Sequence, residues 1–292
     1  MTHYHLHGMG VLGAFFAWEL FAAKKAFTWN DIDAEHVAWK ASTGLIYPSG
    51  EPEEMRAYHG WSKWHQRGAP WTAHLGRLSE NGAFWFSSKH PPHGAKYDIL
   101  THIGPLYLGA YPSYHFNVQR FVEQSRLFFA ERRTDDVPTG AQQIISHGFR
   151  IADHYVWGWS RKVKLLVSEE VLIASPARPT FYLRENRFQF AYANLVPNTP
   201  YHYAGSSTLS QKKLKGYSME PKYALWKELF ARLTGDLVLV AEEEQPLIEG
   251  WRPAMALKKQ LYKQDDIYYA PAMGGSGVRM APLLCSQLRS LI

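Results

Sequence analysis

At 292 residues, with 46% hydrophobic and 20% charged side chains, the chain can bury a substantial core, which excludes a disordered or fibrous protein and fits one large domain or two closely joined ones. A single cysteine, Cys285, excludes an internal disulfide framework and any cysteine-pair zinc site, and it fits a reducing compartment. The net charge of +6 is less ordinary and raises the question of a polyanionic partner.

The first fifty residues read strand, glycine-rich turn, helix, strand, acidic residue. Tyr4 and Leu6 alternate with polar neighbours as in a short strand, and Gly8-Met9-Gly10-Val11-Leu12-Gly13 follows at once. An apolar helix then runs through Ala14, Ala17, Leu20 and Phe21, and a second strand, Phe27-Thr28-Trp29, ends at Asn30-Asp31. This is a dinucleotide-binding fingerprint in the strand–turn–helix context the motif requires. Gly8 permits the tight turn, Gly10 lets backbone approach a pyrophosphate, and Gly13 with Ala17 lets the helix pack closely on the sheet. The N–H groups of Val11 and Leu12 open the helix toward the phosphates, and Asp31 is placed to accept from a ribose. Val11 to Ala23 is apolar enough to suggest a signal-peptide core. It lacks a basic leader, Glu19 interrupts it, and it is too short to span a bilayer, so a soluble, cytoplasmic protein is expected.

Further along, Ala41-Ser42-Thr43-Gly44 offers small residues suited to a close ligand, and Pro48 with Gly50 closes that loop. The spacing of Met55, Tyr58, Trp61 and Trp64 predicts a helix from Glu51 to Trp71, and a second is expected from Phe116 to Arg132. Ile144-Ile145 and Phe149-Arg150-Ile151 flank Ser146-His147-Gly148 as in a hairpin. His154 to Trp157 reads as a strand ending at Gly158-Trp159-Ser160. Short β-type runs follow at Lys164–Leu166, Val171–Ala174, Phe181–Leu183, Phe188–Ala193 and Tyr201–Ala204, the pattern of an antiparallel sheet. Pro221 to Leu233 is an amphipathic helix. The chain closes with a strand, Ile267 to Ala270, a turn, Gly274-Gly275-Ser276-Gly277, and a helix from Ala281 to Ile292.

Two other patterns bear on function. His3, His5 and His7 alternate, as do His90 and His93 across two prolines, but no carboxylate stands at ligand spacing and no metal site is expected. Basic clusters at Lys24-Lys25, Arg161-Lys162-Val163-Lys164, Lys212-Lys213-Leu214-Lys215 and Lys258-Lys259, among 11 Trp and 17 Tyr, suit either solvated surface or contact with a polyanion.

Several of these segments resemble, in order, the FAD-dependent amine and amino-acid oxidoreductases of the D-amino-acid oxidase superfamily, which includes glycine and sarcosine oxidases. The opening fingerprint with Asp31 resembles the ADP-binding half of that family. Ala41-Ser42-Thr43-Gly44-Leu45-Ile46-Tyr47-Pro48 resembles its segment beside the flavin. Gly148-Phe149-Arg150-Ile151-Ala152-Asp153 with Val156-Trp157-Gly158-Trp159-Ser160 is similar to a central strand of the family, and Gly250-Trp251-Arg252-Pro253 to its glycine–arginine–proline element. Tyr268 to Gly277, then Ala281-Pro282, resembles the C-terminal glycine turn. The chain departs from the family in its shorter length and at Met273, Ser276, Arg279, Trp251 and Trp157, which bear on the substrate more than on the cofactor.

The resemblance implies an α/β plus α+β architecture: a Rossmann-like, discontinuous FAD-binding domain over 1–60, 130–165 and 245–292, with an inserted antiparallel-sheet substrate domain over 61–129 and 166–244. It implies FAD, with pyrophosphate at Gly8 to Gly13 and ribose at Asp31 and Ile32. Ser42, Thr43 and Gly44 would lie near the ring system and Gly274, Gly275, Ser276 and Gly277 at its pyrimidine edge, with Gly158, Trp159 and Val278 as further FAD-binding residues. Arg252 is the implied substrate contact, because a guanidinium fork suits a carboxylate, and it also borders the flavin. Arg279 and Tyr182 are further candidates, and Tyr192 and Tyr203 share the sheet expected to roof the flavin.

The implied reaction is oxidative C–N cleavage of a glycine-like amine or amino acid, by hydride transfer to flavin and hydrolysis of the imine. Gly44-Leu45-Ile46-Tyr47-Pro48 is also similar to the FAD domain of the tRNA wobble-uridine modification enzyme, so the amine could be free or carried on a nucleic-acid base. A nicotinamide-dependent dehydrogenase and a non-catalytic flavin-fold protein that binds nucleic acid are the alternatives.

Overall fold

The computed structural model describes residues 2–32, 37–42, 44–46, 52–76, 79–83, 85–87, 95–101, 104–109, 113–148, 152, 154–174, 180–184, 190–195, 200–211, 220–241, 246, 248–254, 260–273 and 277–292. Thr43, Gly274, Gly275 and Ser276, together with His90 and His93, lie outside them. The chain opens with β1 (His3–His7), α1 (Val11–Ala22), β2 (Ala26–Asn30) and β3 (Leu45–Ile46), then α2 (Pro52–Arg67) and α3 (Thr72–Leu75). Strands β4 (Ser79–Ala83), β5 (Trp85–Ser87), β6 (Ala95–Thr101), β7 (Gly104–Gly109) and β8 (Ser113–Phe116) lead to α4 (Val118–Phe128) and β9 (Gln142–Ile145). Next come β10 (His154–Val167), α5 (Glu169–Ala174), β11 (Thr180–Arg184), β12 (Phe190–Leu195), β13 (Tyr201–Gln211) and α6 (Glu220–Thr234). The chain ends with β14 (Val238–Ala241), β15 (Ile248–Ala254), β16 (Tyr262–Gln264), β17 (Ile267–Tyr269) and α7 (Gly277–Arg289).

The first sheet runs in the order β16-β17-β9-β1-β2, parallel from β2 to β17, with β16 antiparallel at the edge. β1 is buried on both faces, so His5 and His7 are buried with Tyr4 and Leu6; His5 bonds Thr28 Oγ1 at 2.8 Å and His7 bonds Gln143 at 2.9 Å. α1 is buried from Gly13 to Leu20, as its nearly uniform apolar sequence requires. Around Phe15 stand the rings of Phe121 at 4.5 Å, Trp71 at 5.1 Å, Phe116 at 5.5 Å and Trp61 at 5.9 Å, so aromatic edges and faces fill this core. Three buried indoles keep their N–H groups bonded: Trp18 donates to Ser125 Oγ, Trp29 to Phe129 O and Trp61 to Val278 O.

The second sheet is largely antiparallel, in the order β14-β10-β13-β12-β11-β5-β7-β6, with β15 paired to the first half of β10. One face of β10 places Trp159, Val163 and Leu165 in a core with Trp226, Leu229 and Phe230 of α6. β3, β8 and β4 form a small third sheet. Among the described residues, no helix is long and apolar enough to cross a membrane.

Five expectations are corrected. Ile144-Ile145 is not the first leg of a hairpin: β9 has parallel partners on both edges, β1 and β17, so no edge is left for a returning strand. The strand expected to end at Gly158 continues to Val167, because β14 takes over from β15 as its partner at Lys164. Val171 to Ala174 belongs to helix α5 rather than to a strand. Ser168 Oγ accepts from Val171 N–H at 3.4 Å, and Glu169 and Glu170 suit the positive end of the helix, which outweighs the β-branched Val171 and Ile173. The last helix starts at Gly277, four residues before Ala281, and the helix expected to reach Trp71 stops at Arg67, where Gly68 takes φ +88°.

Candidate functional site

β1 is the switch point of the parallel sheet: the chain leaves it through α1 to β2 on one side, while β9 joins on the other. The crevice beyond the carboxyl ends of such strands is where open α/β sheets bind ligands. Three loops meet there: Gly8 to Gly10 after β1, Asp31 after β2, and Ser146-His147 after β9. They are tied to one another. Gly8 N–H donates to Asn30 O at 2.8 Å, Met9 N–H to Asp31 Oδ2 at 3.1 Å, Ser146 N–H to His7 O at 2.8 Å, and Ser146 Oγ–H to Gly8 O at 2.7 Å.

The three glycines differ in what they make possible. Gly8 has φ +101°, and a Cβ there would stand 2.1 Å from His147 Cδ2. A Cβ on Gly13 would stand 1.8 Å from Gly8 O, so Gly13 is what lets α1 sit against its own turn. Among the described residues, a Cβ on Gly10 would meet nothing closer than Trp39 Cδ1 at 3.8 Å, so within them this backbone is open. Gly10 is also the N-cap of α1; among the described residues no side chain caps that end, and no acidic residue lies in the first turn, so the positive end of the helix suits an anionic ligand. The arrangement fits a pyrophosphate beside Gly10.

Asp31 accepts Ile32 N–H on Oδ1 at 2.9 Å and Met9 N–H on Oδ2, and Arg126 of α4 pairs with Oδ2. His147 Nε2 stands 3.5 Å from Oδ1. Arg126 also donates from Nε to Met9 O at 3.1 Å, and its guanidinium lies 5.6 Å from the Trp39 ring centre. Arg126, His147 and Trp39 were missed in the sequence. Arg126 stands on an ordinary amphipathic helix 95 residues from its partner, whereas His147 could have been flagged by the tight turn that follows β9.

Of the remaining candidates, Ser42 accepts at its carbonyl from Gln119 Nε2 at 2.7 Å. Gly44 takes φ +63° under Phe116, where a Cβ would stand 1.8 Å from Phe116 O. Gly158 and Gly250 face each other across β10 and β15. A Cβ on Gly250 would stand 3.0 Å from Ala41 Cβ and from Val37 O, so this end of the antiparallel sheet lies directly against the segment leading to Ser42. Arg252 is two positions further along β15, opposite Val156, and Tyr182 is opposite Tyr192 in β11 and β12. Trp159 points away, into the core under α6. Arg279 pairs with Glu54 of α2 at 3.2 Å, close to where Gly60 packs on Pro282, and so braces α7 against α2. Gly277 and Val278 open α7. Among the described residues, no three His, Cys, Asp or Glu side chains are grouped to hold a metal.

On the same side of β10 as Gly158, the strand continues outward with Lys162 opposite Tyr203 and Lys164 opposite Tyr201. Lys162 Nζ lies 5.9 Å from the Tyr203 ring centre, Lys164 is exposed, and burial raises the Tyr203 phenol above its ordinary value.

No family model matches the sequence, and no curated protein matches it. Solved structures do. Glycine oxidase from Geobacillus kaustophilus is similar with a TM-score of 0.67 at 11% identity, over 100% of this chain and 95% of that one. Iminodiacetate oxidase from Chelativorans sp. BNC1 is similar at 0.66 and 13% identity, over 97% and 93%. Glycerol-3-phosphate dehydrogenase from Bacillus halodurans, solved with FAD, is similar at 0.62 and 11% identity, over 100% of this chain and 64% of that one. The parallel sheet with its glycine turn, joined to a separate antiparallel sheet, is thus the fold shared by these oxidoreductases, glycine oxidase among them.

Proposed function

We propose that this chain is an FAD-dependent oxidoreductase that cleaves the C–N bond of a glycine-like secondary amine or amino acid. The observation that carries the proposal is the open backbone at Gly10, at the uncapped start of α1, beside Asp31. Bound FAD would supply a two-electron acceptor for hydride from the carbon next to the amine, and water would hydrolyse the resulting imine. The chain's own part is to hold and shield. Gly10 and the start of α1 would take the pyrophosphate, and Asp31 the ribose. The Gly158–Gly250 end of the antiparallel sheet, lying on residues 37–41, would cover the segment at Ser42. The division into an FAD-binding domain over 1–60, 130–165 and 245–292 and an inserted substrate domain belongs to this reading. Arg252, on the covering strand, is the proposed carboxylate contact. Two of the structural neighbours are, by name, oxidases of glycine and of iminodiacetate, which supports the amine class.

One observation favours an amine carried on a nucleic-acid base. Beyond the buried Ser160, the face of β10 that bears Gly158 carries Lys162 and Lys164 opposite Tyr203 and Tyr201, a basic and aromatic patch on the same strand as the proposed site. Such a surface suits phosphates and stacked bases.

The test is the visible spectrum of the purified protein, taken anaerobically before and after glycine, sarcosine and a glycyl-modified pyrimidine nucleotide. A flavin spectrum bleached by one of them is the expected result. A colourless protein that FAD does not reconstitute would overturn the proposal in favour of a non-catalytic binding protein. A colourless protein that binds NAD(P) would favour a dehydrogenase.

A further inference from the structure

We infer that Arg126 changes partner when the dinucleotide binds, leaving the Asp31 carboxylate to the ribose and taking the pyrophosphate; this rests on the FAD reading above. A carboxylate has about four acceptor sites. Asp31 already fills three of them, with Met9 N–H, Ile32 N–H and Arg126. A ribose diol donating twice therefore needs one of these donors to leave. The two N–H groups belong to the backbone of the turn and cannot move without undoing it. Arg126 reaches in from a different element, α4, on a long side chain that is 23% exposed, so it is the donor that can go.

Its surroundings say where it goes. Arg126 Nε holds Met9 O at 3.1 Å, and its guanidinium lies over Trp39, whose Cδ1 is also the atom nearest to the open position at Gly10. A rotation about its outer torsions keeps the cation between Trp39 and the Met9–Gly10 backbone, where the phosphates are expected. A guanidinium fork exchanges a carboxylate for a phosphate with little loss, because both present paired oxygens. Without a dinucleotide, the pair with Arg126 keeps the Asp31 carboxylate from standing uncompensated in a half-buried turn.

The partner exchange distinguishes adenosine, which has only the ribose to offer, from ADP, which also carries the pyrophosphate. Calorimetric titration of apoprotein with ADP and with adenosine is the experiment, on the wild type, Arg126→Gln and Arg126→Lys, with thermal unfolding alongside. Loss of one charge-assisted phosphate contact should weaken ADP binding to Arg126→Gln by roughly 10- to 100-fold. Adenosine should bind Arg126→Gln as well as the wild type or more tightly, since it no longer competes with a guanidinium, and Arg126→Lys should regain part of the ADP affinity. Tighter binding of both ligands to Arg126→Gln would show a mere plug and overturn the inference. Equal weakening of both with a lower melting temperature would show a structural strut and overturn it too, as would no change in either. A wild type that binds neither ADP nor FAD would instead sink the FAD reading on which the inference rests.

Discussion

Two regions of this molecule set a cation against an aromatic ring, with opposite consequences. At the glycine turn, Arg126 lies over Trp39 and is turned inward on Asp31, within hydrogen bonds that join three loops. On the outward face of β10, Lys162 lies over Tyr203 beside the exposed Lys164, and among the described residues neither lysine pairs with a carboxylate. A charge answered from inside the chain fixes geometry and shows itself in stability and pH dependence. A charge displayed to water leaves the fold alone and shows itself in encounter and salt dependence.

The sharpest way to break the first region is to fill its packed glycine. Gly13→Ala puts a methyl 1.8 Å from Gly8 O, a backbone atom with nowhere to go. We expect a loss of about 3 kcal/mol or more, read as a melting temperature roughly 10 °C lower or as failure to fold. Gly10→Ala, three residues earlier, is the contrast: its methyl meets only Trp39 at 3.8 Å, and the backbone there is extended at φ −77°. Its stability should change by less than about 1 kcal/mol, while FAD affinity falls at least tenfold, or about 1.4 kcal/mol, because the methyl would occupy the space proposed for the phosphate. Equal melting temperatures for the two variants would remove the distinction between a packing glycine and a ligand glycine.

That distinction also marks how far the sequence could be read. The strand–turn–helix–strand order and the packing roles of Gly8 and Gly13 follow from local spacing, because a turn and the helix it feeds are made by neighbours in the chain. The partners of Asp31 do not. Arg126 is 95 residues away on a helix whose periodicity is satisfied by Val118, Phe121 and Val122, and nothing local separates it from a solvated arginine. The same limit explains the misread hairpin after Ile145. Whether a short β-branched run returns on itself or slots between two parallel strands is decided by β1 and β17, far away in sequence. The face of the antiparallel sheet that bears Lys162 and Lys164 likewise depends on register, which alternation alone leaves open by one residue.

The inward-facing region has a second charge, and it gives a pH test. Glu19 is 2% exposed in the apolar helix α1. Burial pushes its carboxyl up to about 7 from an ordinary 4.5, against the pull of Arg289, whose Nε is 3.3 Å away, and of the Cys285 thiol. Because the folded value is the raised one, the folded protein binds the proton more tightly than the unfolded chain. Stability should therefore be fullest below about pH 4.5 as far as this group is concerned, and decline as pH rises toward 7. The full span is on the order of 3 kcal/mol. In Glu19→Gln the decline attributable to this group between pH 5 and pH 8 should vanish, measured as the difference in melting temperature between variant and wild type across that range. A variant that tracks the wild type at every pH would show that Arg289 already compensates the charge.

The smallest expected effect concerns the outward face, where it isolates encounter from fold. Lys162→Ala with Lys164→Ala removes two displayed charges while leaving Trp159, Val163 and Leu165, the residues that hold β10 on α6, untouched. Melting temperature should stay within a degree or two, since surface charges of this kind contribute little to folding. Binding to a single-stranded oligonucleotide should weaken roughly tenfold at low salt, with the slope of log K against log salt falling by roughly 1.4, about 0.7 per lost phosphate contact. Lys227→Ala is the control: this lysine lies over Tyr223 on α6, which covers the other face of the sheet, so its removal should leave the slope unchanged if the track is one-sided. Equal losses from the two faces would mean that the oligonucleotide feels only the net charge of +6 and not one face of β10. In that case the amine would be read as a small free molecule, and the outward lysines as ordinary solvated surface.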